Sequence, residues 1–140
     1  TLSSRLFRVG TRIGDEARTK LVNNLLASIN LAGAAEAMAL AQSVGLDAQM
    51  TLDVIEQSSG QSWIGSDRMR RALVGDLAPR AHMALLRKDS TLALSMAAQH
   101  GVTNLSVGAQ AAALFERACQ AGLADADDAS LLPFLRPPAP

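Results

Sequence analysis

Lys20 and Asn24 stand four residues apart in Lys20-Leu-Val-Asn-Asn24, and Lys88-Asp89 form a second ionisable pair further along. On a helix, positions i and i+4 share one face, so the lysine and the amide can meet the same group. A lysine placed this way can give a proton to a carbonyl oxygen or take one from a hydroxyl. Both lysines fall in stretches that read as buried helix, and lysine is rarely buried without a partner. That reading predicts a site. The plain alternative has Lys20 reaching solvent from a first helical turn and Lys88-Asp89 on the wet side of an amphipathic helix. Ser62-Trp63 carries the same two readings. The single tryptophan after Gly60-Gln61-Ser62 reads as a core anchor before it reads as a substrate contact. His82 and His100 have no partner at metal-ligand spacing, so no metal is expected. Gly10 and Gly14 lack the G-x-G-x-x-G spacing of a dinucleotide loop.

The elements that must carry these residues read as helices. Asp15-Glu16 place two carboxylates in a first turn, where the helix dipole favours them, and Gly45 supplies a stop. These signals predict one long helix from Asp15 to Val44. Leu21, Leu25, Ile29, Ala32 and Glu36 form a rough stripe, yet apolar residues occupy the other faces too. A helix apolar nearly all round is central, or is covered by a second subunit. Further helices are expected over Asp47 to Gln57, Asp67 to Val74 and Met83 to His100. Another should run from an Asn104 cap to Ala121, and a last short one from Asp127 or Asp128 to a limit at Pro133. Leu6 to Val9 reads as a short strand. No alternating pattern of useful length follows Gly14, so the fold class is all-α, a bundle around one long central helix.

Composition agrees. The 140 residues suit one domain, and 49% hydrophobic with 3% aromatic residues predicts a core of Ala, Leu, Val and Met. Lys+Arg and Asp+Glu are both 13, so no basic surplus points to nucleic acid or an anionic membrane. Ser28, Asn30, Glu36 and Gln42 interrupt the apolar run from Leu25 to Val44, which argues against a membrane span. The lone Cys119 excludes an internal disulfide and reads as a small core residue. The start at Thr1 and the end at Arg136-Pro-Pro-Ala-Pro140 lead us to expect one domain of a longer protein.

Gly14, Lys20-Leu-Val-Asn-Asn24, Ala35-Glu-Ala-Met-Ala-Leu-Ala41 and Gly45 together resemble the C-terminal domain of the 3-hydroxyisobutyrate dehydrogenase family of β-hydroxyacid dehydrogenases. Asp76-Leu-Ala-Pro79, Lys88-Asp89 and Gly122-Leu-Ala-Asp-Ala-Asp127 fit the same pattern, and the likeness runs from Phe7 to Phe134. Ser62-Trp63, Arg68-Met69, Gly75-Asp76 and Pro79-Arg80 are most similar to its L-threonate dehydrogenase branch. The resemblance implies a helical domain like those of 6-phosphogluconate and 3-hydroxyisobutyrate dehydrogenases. Residues 1–14 would lead in from an N-terminal Rossmann domain, 15–136 would form the substrate and dimerisation domain, and 137–140 a proline-rich tail.

It further implies a catalytic Lys20 oriented by Asn24, a substrate site with Asn23, Ser62 and Trp63, and Lys88 and Asp89 beside the cofactor. The cofactor would be NAD or NADP, bound mainly by the Rossmann half. The substrate would be a small hydroxy acid, and the assembly a cytoplasmic homodimer or tetramer joined through the central helix. Two positions depart from the family pattern. Glu16 stands where a second glycine is common and adds a like charge near a substrate carboxylate. Ala81 replaces a bulky aromatic and enlarges the pocket toward a longer polyhydroxy acid. The rival reading is a non-catalytic helical association module that kept the fold.

Overall fold

The computed structural model describes residues 10–137. The expected strand at Leu6 to Val9 lies outside them. Six α-helices follow in order: α1 (Asp15–Ser43), α2 (Ala48–Glu56), α3 (Trp63–Leu73), α4 (Met83–Gln99), α5 (Ser106–Ala118) and α6 (Leu131–Leu135). A π-helical turn, Cys119–Leu123, extends α5, and a 3-10 turn, Asp128–Ser130, precedes α6. Among the described residues the only β pairing is an isolated bridge between His82 and Asp127. The all-α expectation holds.

α1 is the axis. Its 29 residues pack Leu31, Ala35 and Met38, all fully buried, against α3, α4, α5 and α6. Phe115, Met69, Met83, Leu131 and Leu132 complete a core in which small alanines let helices approach closely. α1 is long and apolar enough to cross a membrane by composition alone, but here one face of it is the centre of the bundle. Its end follows the sequence. Gly45 takes φ +82°, Leu46 N–H donates to Ala41 O at 3.0 Å and Gly45 N–H to Gln42 O at 3.2 Å, a Schellman cap.

Three boundaries differ from expectation. α3 begins at Trp63, not Asp67, because Ser62 caps it by accepting the Gly65 N–H at 3.0 Å. Asn104 does not cap α5; Leu105 precedes it without a side-chain cap. Pro133 sits inside α6 rather than limiting it. In the first turn of a helix a proline loses no intrahelical bond, so the helix runs on to Leu135.

Two acidic residues fix the segment that feeds α4. Asp127 Oδ1 accepts the backbone N–H groups of Arg80 at 2.9 Å and Ala81 at 3.1 Å, and Oδ2 accepts Ala129 N–H at 2.9 Å. Arg71 on α3 lies 3.0 Å from the same carboxylate. Asp128 holds Arg68 Nε at 2.6 Å. Both carboxylates are buried, so these bonds are made in a dry setting where a missing partner is costly. The network ties α3 to the residues leading into α4 and so sets where Lys88 and Asp89 fall.

Candidate functional site

α1 and α4 run side by side, and the chemistry-bearing residues of both meet where they touch. Asp89 is buried, at 1% exposure. The Asn24 amide donates to Asp89 Oδ2 at 2.6 Å, and Lys20 Nζ stands 3.7 Å from the same oxygen. One α4 carboxylate therefore gathers the two α1 side chains. The i, i+4 spacing brings Lys20 and Asn24 to one face, as the sequence required, but the amide turns to Asp89. Asn23 is exposed and donates to Asn24 Oδ1 at 3.2 Å. Ser28, one turn further on, is fully buried and bonds Asn24 O at 2.8 Å.

The burial expectation is corrected. Neither lysine is buried; both are exposed, with the Lys20 side chain 59% accessible. The buried charge at this site is Asp89. Its carboxylate is satisfied on the inside by Asn24 while the Lys20 ammonium remains open to an incoming molecule. This is a usable arrangement for proton transfer: a mobile, accessible acid/base whose position is biased by a fixed anion behind it. Lys88, next to Asp89 on α4, also faces solvent.

Beyond Asp89 the two helices part around a cleft of about 410 Å³. Val22 and Leu25 of α1 face Ala93 and Met96 of α4 across it, with Arg18 and His100 at its margin. Apolar walls with two arginines, Arg12 and Arg18, suit a small organic anion. Neither histidine belongs to a metal cluster; among the described residues no three metal-ligating side chains come together.

Ser62 and Trp63 lie elsewhere. Gly65, in the first turn of α3, packs against Ala34 of α1. Ala34 is ten residues past Asn24, about 15 Å along the helix. Trp63 is not a core anchor: it is 65% exposed, its ring 5.8 Å from the Arg68 guanidinium. Ser62 lines a smaller cavity of about 270 Å³ with Gly33, Ala34 and Ala37. Within one chain, then, Lys20, Asn23, Asn24 and Asp89 come together, Lys88 stands next to Asp89 on α4 and faces solvent, and Ser62-Trp63 does not join them. Cys119 is a buried core residue, and burial raises its thiol pKa. Sequence reading did not foresee Arg68 and Arg71 as partners of Asp128 and Asp127. Their only local signal was a buried-helix pattern carrying arginines.

Residues 14–135 match the family described as NAD-binding of NADP-dependent 3-hydroxyisobutyrate dehydrogenase. An L-threonate dehydrogenase of Cupriavidus necator is 34% identical over 131 residues, covering 94% of this chain and 44% of that protein. The crystal structure of 3-hydroxyisobutyrate dehydrogenase from Salmonella typhimurium superposes with a TM-score of 0.86 at 30% identity, covering 92% of this chain and 45% of that one. Another solved relative, in complex with NADP+ and 2-OPP, gives 0.76 at 27% identity, with 89% and 44% covered. The chain thus spans less than half the length of the relatives it matches. Its helical bundle and the family match over residues 14–135 lead to one conclusion: the chain belongs to the 3-hydroxyisobutyrate dehydrogenase family of hydroxyacid dehydrogenases, as a helical domain of that family.

Proposed function

We propose that this chain is the substrate-side domain of an NAD(P)-dependent dehydrogenase acting on a small hydroxy acid of the 3-hydroxyisobutyrate or L-threonate type. The observation that carries the reading is the convergence of Lys20 and Asn24 on buried Asp89, beside an open cleft, in a chain of this family. A non-catalytic association module needs the apolar surface of α1 but has no use for a buried carboxylate that holds an exposed lysine.

In this reading Lys20 exchanges the substrate's hydroxyl proton. During oxidation the proton passes from the hydroxyl oxygen to Nζ; during reduction it returns to the carbonyl oxygen. Asn24 and Asp89 are positioning residues that fix where Lys20 stands. Asn23 is exposed beside Asn24, and Arg18, which lines the cleft, offers a cation for the substrate carboxylate. NAD or NADP, when bound, supplies the hydride acceptor. The described residues fit only its border. Lys88 gives one exposed cation, and no glycine-rich loop opens a helix here to cradle a pyrophosphate. The phosphates would belong to a separate nucleotide-binding domain. Ser62 and Trp63 reach a substrate only if a second subunit brings them there, which the assembly as a homodimer or tetramer through α1 allows. We assign the protein to the cytoplasm, with no nucleic-acid or membrane partner. The test is steady-state oxidation of hydroxy acids by the complete enzyme carrying this domain. Activity on L-threonate or 3-hydroxyisobutyrate that depends on Lys20 supports the reading, and activity indifferent to Lys20 rejects it.

A further inference from the structure

The cavity of about 270 Å³ between α1, α2 and α3 has no part in the proton transfer proposed above. Ala34, which lines it, stands about 15 Å along α1 from Asn24. Its floor is apolar and closed to water: Met38 and Met69 are fully buried, and Leu52 is buried with them. Methionine side chains adapt to irregular shapes. An apolar cavity of about 150 Å³ is enough to hold benzene, so this one has room for a branched aliphatic group.

The helices around it are held in place. Arg70 of α3 pairs with Asp53 and Glu56 of α2, and the Ser66 hydroxyl donates to Glu56, which braces α2 against α3. Between α1 and α3 the limit is steric. A Cβ on Gly65 would stand 2.9 Å from the Ala34 Cβ, so these two helices already touch. A cavity with fixed walls costs a ligand little reorganisation.

Two hydroxyls line the cavity from α3. Ser62, the cap of α3, and Ser66 are four residues apart and share one face. Their hydrogen-bonding states are complementary. Ser62 Oγ accepts the Gly65 N–H at 3.0 Å, which leaves its own hydrogen to donate. Ser66 gives its hydrogen to Glu56, which leaves its oxygen to accept. One hydroxyl on a ligand answers both, accepting from Ser62 and donating to Ser66. Among the described residues no charged side chain lines the cavity. A carboxylate would lose its hydration there without gaining a counter-ion.

We propose that this cavity binds a small uncharged alcohol with a branched aliphatic body. Its hydroxyl would lie between Ser62 and Ser66, and its carbons against Met38, Leu52 and Met69. Charge excludes from it the hydroxy acids of the reaction proposed above, and the proposal does not depend on the catalytic reading.

Amide NMR of the chain titrated with isoamyl alcohol tests it. The Ser62, Gly65 and Ser66 amides should shift saturably, with a dissociation constant of about 1 mM. Isovalerate, the same skeleton carrying a carboxylate, should bind at least about tenfold more weakly. Ala37→Leu from α1, or Ile55→Phe from α2, should fill the cavity and abolish the saturable shifts, while circular dichroism shows helix retained. Ser66→Ala should weaken the alcohol by roughly threefold to tenfold, the worth of one hydrogen bond. Isovalerate that binds as tightly as the alcohol overturns the choice of ligand class. Shifts that never saturate, or that persist in both filled variants, overturn the site itself.

Discussion

The Asn24 amide and the Asp89 carboxylate, 65 residues apart in sequence, are joined by a 2.6 Å hydrogen bond from Nδ2 to Oδ2. This bond ties the first half of α1 to the middle of α4. Removing the amide leaves a buried carboxylate short of a donor, at a cost of about 1–3 kcal/mol. Asn24→Ala should lower the urea unfolding midpoint by a corresponding amount. Asn23→Ala, an exposed neighbour, should leave it within error.

Gly65→Ala is expected to destabilise the domain although alanine favours helix. The new methyl would stand 2.5 Å from Ser62 Oγ and 2.9 Å from the Ala34 Cβ. It would therefore strain the α3 cap and push α3 from α1, an overpacking cost of about 1–3 kcal/mol. Gly33→Ala meets nothing and should stabilise the isolated chain. Thermal melts of the two variants side by side decide the point.

Acid should unfold the domain through its paired carboxylates. For Asp127 burial alone would raise the pKa, but the N–H groups of Arg80, Ala129 and Ala81, with Arg71, outweigh it and hold the carboxyl low. The Arg12 amide lowers Asp15, Arg70 lowers Glu56, and Arg80 lowers Asp76. Groups depressed in the folded state add stability above the unfolded carboxylate value, about pH 4, and lose it as pH falls through their folded values. Asp128 runs the other way. Burial raises it despite Arg68, so its contribution is present below the unfolded value and is lost as pH rises through the folded one. Urea midpoints measured from pH 7 to pH 3 should be flat at first and then fall below about pH 4. Asp127→Asn should flatten that fall, and Asp128→Asn should steepen it.

The helices were legible because their signals are local: carboxylates in the first turn of α1, Gly45 at its end, apolar periodicity in α4. The start of α3 had a local signal too, since Ser62 is a good cap, but the helix was expected only from Asp67, with Trp63 as a core anchor ahead of it. The site was half legible. Lys20 and Asn24 announce themselves by spacing, and Lys88-Asp89 stand out as a pair. That Asp89 is the buried member and both lysines are exposed depends on how α1 meets α4, which no single stretch records. The same holds for Arg68 with Asp128, 60 residues apart, and for Arg71 with Asp127. Ser62 and Trp63 were linked to the site by family resemblance alone, and the single chain keeps them apart.

The chain alone should bind NADH and NADPH weakly. Lys88 is a single solvated cation, and the described residues hold no phosphate cradle. Calorimetric titration should give a dissociation constant no tighter than about 1 mM. A low micromolar value would mean that the helical domain has its own nucleotide site, against the division of labour proposed here.

The central claim is that Lys20 carries the proton. Lys20 is exposed, so its truncation should spare the fold. In the complete enzyme, Lys20→Ala should lower kcat for hydroxy-acid oxidation by roughly 10²–10⁴-fold, the usual worth of a positioned acid/base, with the melting temperature unchanged. A loss smaller than about threefold would remove Lys20 from the mechanism and contradict this account.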